Sequence, residues 1–373
     1  MIIVPTRELA LQIEQVWRKM GTGFKVTCCY GGHDMQTEIR SLVEPPALLI
    51  GTPGRVLDHI HRRSFSARNV TTLVLDEFDK SLELGFQEEM TDIVRNIRNA
   101  KRKVLVSATE GSGIPSFINF KNPVTVDYIE HQRKNLKLKI VQVIADKKDK
   151  LDRLVQLLSY LGAESTMIFC NQRDSVERIS EVLKDAGIDC AYFHGKLEQE
   201  DRERTLIRFR NRSIFCLAAT DLAARGLDIP DMKHVIHFEL PMRGEEFTHR
   251  NGRTARMEAE GTAYILSHQE EVLPAYIAPK PRILDLPSGL KVPQKSPWVT
   301  VYISGGKKNK LNKMDIVGFL LQKGNLEKAD LGLIEVKDNI SFAAVSREKV
   351  KAMLGAIADQ KMKGKKYKIE VAR

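Results

Sequence analysis

Short, continuous apolar runs recur along the chain, each followed by a stretch with helical spacing, and this alternation restricts the fold more than any other feature. Residues 2–4, 26–30, 47–51, 72–76 and 104–107 read as strands, and Leu9, Ile13, Val16 and Met20 fall one helical turn apart between the first two. Strands apolar on both faces and separated by helices predict a parallel sheet covered on both sides. The rhythm returns at 140–145, 167–170, 191–194, 214–218, 234–238 and 263–267. Two α/β lobes are expected, at residues 1–127 and 137–273, joined by a polar linker at 128–136.

Six of the chain's fourteen prolines lie between Pro274 and Pro297, so 274–297 is expected to end the second lobe and act as a semi-rigid spacer that continues neither helix nor strand. Beyond it, residues 298–373 spell β-α-β-β-α-β, with strands at 299–304, 333–337, 341–345 and 367–371 and helices at 314–322 and 347–358. That order fits a small RNA-recognition (RRM-like) α+β fold. Residues 296–373 hold fourteen lysines and two arginines against eight acidic residues, which accounts for +8 of the net charge of +11. A polyanion partner explains such a module, with a solvated lysine surface as the alternative. No apolar run approaches the roughly 18 residues of a membrane span, and the opening four residues are too few for a secretory signal. Cys28, Cys29, Cys170, Cys190 and Cys216 form no CxxC pair and read as buried thiols of a reducing cytoplasm.

Onto this frame falls an ordered row of motifs. Pro5-Thr6-Arg7-Glu8-Leu9-Ala10, Gly31-Gly32, Thr52-Pro53-Gly54-Arg55, Asp76-Glu77-Phe78-Asp79 and Ser107-Ala108-Thr109 come first. Gln199 with Arg202, Ala219-Thr220-Asp221, Arg225-Gly226-Leu227-Asp228 and the run from His249 to Arg256 follow. Any one of these arises by chance; the series in register does not. The chain resembles the DEAD-box ATP-dependent RNA helicases. Its tail, with Tyr302-Ile303-Ser304-Gly305-Gly306-Lys307-Lys308-Asn309-Lys310 and Asp315-Ile316-Val317-Gly318, looks like the C-terminal RNA-binding domain of the DbpA-type subgroup.

The resemblance implies two RecA-like lobes, ATP and Mg²⁺ as cofactors, and RNA as partner, with large-subunit ribosomal RNA and ribosome precursors expected for this subgroup. A cytoplasmic monomer without membrane attachment is expected. By the same resemblance Asp76 would hold Mg²⁺, Glu77 would orient or deprotonate the attacking water, and Asp79, Ser107 and Thr109 would relay between the ATP site and lobe closure. Arg253 and Arg256 would act as arginine fingers, His249 and Arg250 would couple closure, and Gly226 and Asp228 would meet the nucleotide. Thr6, Arg7, Gly31, Gly32, Thr52, Gly54, Arg55, Gln199, Arg202 and Thr220 would grip the RNA backbone. In the tail, Lys307, Lys308 and Lys310 would meet RNA, and Tyr302 and Phe342 would either stack bases or lie buried in the domain core. Phe78, Asn251 and Ala255 depart from the family's usual Ala, Ile and Gly. Phe78 is expected to alter packing without removing the chemistry, and Ala255 to limit how closely the backbone approaches.

One family element is missing from the sequence. Gly-Lys followed by Ser or Thr, the end of a phosphate-cradling loop, occurs nowhere; Gly195-Lys196 precedes Leu197 and Gly364-Lys365 precedes Lys366. In the family that loop lies upstream of the Pro5 segment, so lobe 1 reads as N-terminally truncated. Three or four lost phosphate contacts would amount to roughly 5 to 10 kcal/mol. The lost strand is expected beside the Asp76 strand, leaving lobe 1 unstable by itself. A catalytically dead RNA-binding remnant is the alternative function.

Overall fold

The computed structural model describes residues 1–107, 113–120, 122–127, 138–224, 232–254 and 261–372. These form two compact units, one ending at Asp127 and one beginning at Leu138.

The first unit is built on β1 (Ile2–Ile3), β2 (Val26–Cys29), β3 (Leu48–Gly51), β4 (Thr72–Leu75) and β5 (Arg102–Leu105), all parallel, in the order β2-β3-β1-β4-β5. Three of the helix starts have a local cause. Thr6 accepts the Leu9 amide at 3.3 Å to cap the helix Arg7–Lys19, Asp34 accepts the Thr37 amide at 2.9 Å to cap Met35–Leu42, and Pro53 opens Pro53–His61. Ile3, Leu49, Leu73, Leu75 and Ile93 form the core. Phe78, where the resemblance expects Ala, joins that core at 5% exposure, so the departure fills space beneath the acidic motif. The strand carrying Asp76 is not bare: β1 and β5 flank it on both sides. Among the described residues the sheet edges are β2 and β5, and Val104 and Val106, on and just past β5, are each 44% exposed.

The second unit contains both the second lobe and the tail. Its larger sheet comprises β6 (Leu138–Ala145), β7 (Thr166–Cys170), β8 (Cys190–Phe193), β9 (Cys216–Thr220), β10 (His234–His237), β11 (Gly261–His268) and β12 (Arg282–Ile283), parallel, in the order β12-β6-β11-β10-β7-β9-β8. Two RecA-like parallel lobes are therefore present. β12 corrects the expectation that the proline-rich stretch makes no strand: Arg282 and Ile283 pair with Val141 and Gln142, and Leu284 and Leu286 pack on the lobe core. Pro281 and Pro287 fall outside the paired residues on an edge strand, where a missing N–H costs no ladder bond.

The tail folds as β13 (Trp298–Ile303), β14 (Leu331–Val336), β15 (Ser341–Ser346) and β16 (Ile369–Val371) in an antiparallel sheet ordered β14-β15-β13-β16. Helices Lys313–Gln322 and Val350–Ile357 cover one face. Alternation sends Val299, Val301, Ile303, Ala343 and Val345 toward those helices and leaves Thr300, Tyr302, Phe342 and Ala344 on the other face.

Candidate functional site

The described residues of all five motifs of the first unit sit at the C-terminal edge of its sheet, where open parallel sheets gather ligands. Thr6 and Arg7 follow β1, Gly31 and Gly32 follow β2, Thr52 to Arg55 follow β3, Asp76 to Asp79 follow β4, and Ser107 follows β5. Arg7 lies along the glycine pair, so a Cβ on Gly32 would stand 2.6 Å from Arg7 Nη1, and Gly32 has φ +83°. That left-handed backbone favours glycine, and any Cβ would also push the Arg7 guanidinium aside. Gly54 has no neighbour within 4 Å of where a Cβ would stand, which leaves its surface open to a close approach.

Asp76 accepts the Glu77 amide at 3.0 Å, and Glu77 holds a left-handed backbone, φ +46° and ψ +47°. Burial pushes the Asp76 carboxyl above its usual range, with the Glu77 amide opposing and the charge of Asp79 adding to the rise. A divalent cation would reverse that bias, so the paired carboxylates suit Mg²⁺.

Arg55, one of the residues expected to grip RNA, directs its guanidinium toward a buried carboxylate. Nη1 donates to Glu38 Oε2 at 2.9 Å and to the His33 carbonyl at 3.1 Å, and Nη2 donates to the same carbonyl. Glu38 is 1% exposed and also accepts from the Tyr30 amide at 3.2 Å, while His59 Nε2 stands 2.8 Å from it. Burial pushes the Glu38 carboxyl up, but these hydrogen bonds and the Arg55 charge outweigh it and hold it below the usual range. Nothing in the sequence marks Glu38, because its partners lie 5 to 21 residues away, in the loop after β2 and on the helix Pro53–His61. The hub fixes the loops bearing the Gly31-Gly32 and Thr52-Arg55 motifs to one another. Cys29 sits beside Glu38 and His59, but the Arg55 cation already fills the role a metal would take, and burial pushes the Cys29 thiol up to about 12.

In the second unit the same edge carries Thr220, the last residue of β9, and Asp221 just after it, and the helix Gly244–Asn251 presents His249 and Arg250. Arg250 is 1% exposed. Its Nε and Nη2 hold both oxygens of Asp221 at 2.7 and 2.5 Å, Nη1 donates to the Glu239 carbonyl at 2.5 Å, and Nη2 to Asn171 Oδ1 at 2.7 Å. Its cation also faces the Phe169 ring, 5.2 Å from the centroid. Arg250, expected among the coupling groups, also ties three loops of the unit together. Gln199 and Arg202 open the helix Gln199–Arg210, with Arg202 over the Phe193 ring at 4.7 Å. Arg253 is half-buried just beyond the Arg250 helix. Thr109, Gly226, Asp228, Ala255 and Arg256 lie outside the described residues.

Comparison with known proteins agrees with this arrangement. Residues 1–114 match the family DEAD/DEAH box helicase, 149–258 the helicase conserved C-terminal domain, and 300–371 the DbpA RNA binding domain. The ATP-dependent RNA helicase DbpA of Escherichia coli (strain K12) is 31% identical over 386 residues, covering 100% of this chain and 84% of that protein. The chain belongs to the DEAD-box RNA helicase family. The Bacillus subtilis (strain 168) protein of the same name is 29% identical over 406 residues, again covering 100% of this chain and 84% of the relative. Among solved structures, S. cerevisiae Dbp5 bound to RNA and ADP BeF3 superposes with a TM-score of 0.63 at 25% identity, covering 72% of this chain and 71% of that one.

This DEAD-box chain also explains its own departure at Asn251. Asn251 Oδ1 stands 2.8 Å from Nε2 of His237, which is fully buried and stacked on Phe247 at 4.5 Å. The pair is a local solution that the usual Ile would not provide. Burial pushes the His237 imidazole down to about 3, with Asn251 opposing. The unfolded chain therefore takes up this proton near pH 6.5, while the folded chain resists it. Stability of the second unit is expected to be full above pH 6.5 and to fall by up to about 1.4 kcal/mol per unit as pH drops from there toward 3. His237→Gln should flatten that slope in urea melts taken across this range; an unchanged slope would assign the acid sensitivity elsewhere.

Proposed function

We propose that this helicase hydrolyses ATP with Mg²⁺ in an RNA-stimulated cycle that opens short duplexes, acting on large-subunit ribosomal RNA during ribosome assembly as a cytoplasmic monomer. The observation that carries the reading is the convergence of five motif-bearing strand ends on one sheet edge, with Asp76 and Glu77 at its fourth strand. Asp76 would hold the metal, which supplies charge neutralisation at the phosphates, and Glu77 would position the attacking water. Asp79, Ser107 and Thr109 would relay the state of that site. Gly226 and Asp228 would meet the nucleotide, while Arg253 and Arg256 would oppose charge growing on the transferred group. Thr6, Arg7, the Gly31-Gly32 pair, Thr52, Gly54, Gln199, Arg202 and Thr220 offer amides, hydroxyls and cations suited to a sugar-phosphate backbone, which reads no sequence. Sequence choice would then fall to the tail, whose relatives carry an RNA-binding domain of the same kind.

The test is ATP turnover without RNA, with a large-subunit ribosomal RNA hairpin, and with an unrelated hairpin of equal length. The reading expects stimulation by both, reaching half its maximum at a lower concentration with the ribosomal hairpin. Equal half-stimulation would overturn the ribosomal assignment, and no stimulation by any RNA would overturn the ATPase reading.

A further inference from the structure

A grip made of backbone amides, hydroxyls and cations holds a phosphate but does not by itself tell RNA from DNA, since both carry the same phosphates. The aromatics of the tail sheet do not add that distinction. Phe342, expected either to stack bases or to lie in the tail's own core, is buried against the second lobe: it is 0% exposed and packs on Ile207 of the helix Gln199–Arg210. Arg204 of the same helix lies over the Tyr302 ring, 5.9 Å from its centroid. A group of a different kind, a fixed hydrogen-bond acceptor, stands in the first unit beside the glycine pair.

His33 follows Gly32 directly and is held through backbone and ring alike. Its carbonyl accepts both Nη1 and Nη2 of Arg55 at 3.1 Å, its ring lies beside that of Tyr30 with centroids 5.6 Å apart, and its Nδ1 stands 3.2 Å from Glu38 Oε1. Glu38 fixes the tautomer. Its carboxyl, held below the usual range, has no proton to give. Oε1 accepts from the Tyr30 amide and from His33 Nδ1, and Oε2 from Arg55 Nη1 and His59 Nε2, which fills the roughly four acceptor positions of a carboxylate. His33 Nδ1 therefore carries the proton of the neutral ring, and Nε2 is left with a bare lone pair. That nitrogen has no partner among the described residues, and 37% of the side chain is exposed. The other imidazole of the hub is closed: His59 is 0% exposed, and its Nδ1 meets Ser64 Oγ at 3.0 Å.

A bare lone pair cannot serve a phosphate oxygen, which is itself an acceptor. Along a sugar-phosphate backbone the 2′-hydroxyl is the group with a proton to donate, and DNA lacks it. We infer that His33 reads the sugar: its Nε2 accepts a hydrogen bond from the 2′-hydroxyl of a nucleotide whose phosphate is held at the Gly31-Gly32 loop, and Glu38 is the positioning residue that keeps Nε2 an acceptor. Without the Glu38 carboxylate the ring is free to carry its proton on Nε2 and to donate it to a phosphate, which both nucleic acids supply. The inference rests on the RNA grip of this loop within the proposed function.

The experiment measures the affinity of the full chain for a hairpin RNA with a short single-stranded overhang, each overhang nucleotide replaced in turn by its 2′-deoxy counterpart. Mg²⁺ and a non-hydrolysable ATP analogue are present, and the pH is about 8, where an ordinary imidazole is neutral. The unaltered hairpin keeps the contribution of the tail constant. In the parent one overhang position should carry a deoxy penalty of about 2- to 12-fold, the worth of one neutral hydrogen bond at roughly 1.4 kcal/mol per tenfold. His33→Asn, whose amide still donates to Glu38 but does not reach the place of Nε2, should keep the parent's unfolding midpoint and lose the penalty at that position. His33→Gln, whose carboxamide oxygen reaches that place, should keep part of it. Glu38→Gln should shrink the penalty, since it unpins the tautomer. A merely structural role for His33 would weaken ribose and deoxyribose overhangs alike and leave the penalty in place. A penalty that survives in His33→Asn, or a parent with no position-specific penalty although its overhang adds affinity over a blunt hairpin, overturns the inference and leaves the grip itself standing. An overhang that adds no affinity over the blunt hairpin overturns both.

Discussion

Arg250→Ala is expected to destabilise the second unit by about 3 to 5 kcal/mol, the usual cost of removing one partner of a buried charge pair. The deletion strips both Asp221 oxygens of their Arg250 donors and takes the same donor from Asn171 Oδ1 and the Glu239 carbonyl at once. Arg250→Lys should recover little, because one ammonium cannot reproduce a planar fork that reaches four acceptor atoms in three directions. The check is the urea midpoint of the second unit. Were Arg250 only a coupling group for hydrolysis, both variants would unfold at the parent midpoint and lose turnover alone. A second variant separates the cases further: in an Asp221→Asn background the cost of Arg250→Ala should shrink, since the stranded charge is gone.

The same residue shows where sequence reading stops. Its motif was legible, because spacing within one short segment survives in the chain. Its partners were not: Asp221 is 29 residues away and Asn171 is 79. Glu38 escaped notice for the same reason, since a lone glutamate on an amphipathic helix carries no sign that it is the buried acceptor of both the loop after β2 and the helix Pro53–His61. The alternation of apolar runs and helices located nearly every strand, because burial on both faces writes itself into consecutive residues. β12 was the exception. Two residues of edge pairing between prolines are set by the neighbouring β6, and nothing local announces them. Phe342 was legible as an aromatic on the third tail strand, but which surface covers a sheet face depends on a helix more than a hundred residues upstream.

Glu77→Gln is expected to lower RNA-stimulated ATP hydrolysis by about 100- to 10,000-fold, the range supplied by a positioned general base, with RNA affinity and unfolding midpoint unchanged. The substitution keeps size and hydrogen-bonding reach and removes only the carboxylate. Glu77→Gly sharpens the test. At φ +46° a glutamate bears the left-handed penalty of roughly 1 to 2 kcal/mol that glycine does not. Glycine gives part of that back through its greater unfolded-state freedom, about 0.4 to 1 kcal/mol. The Gly variant should therefore unfold at or above the midpoint of the Gln variant while hydrolysing no faster. A residue placed for stability alone would behave the other way, with the Gly variant the weaker of the two. Inactive chains that are no less stable than the parent would show that the strained backbone at the end of β4 is kept for the carboxylate it aims, with the half-buried Asp76 beside it.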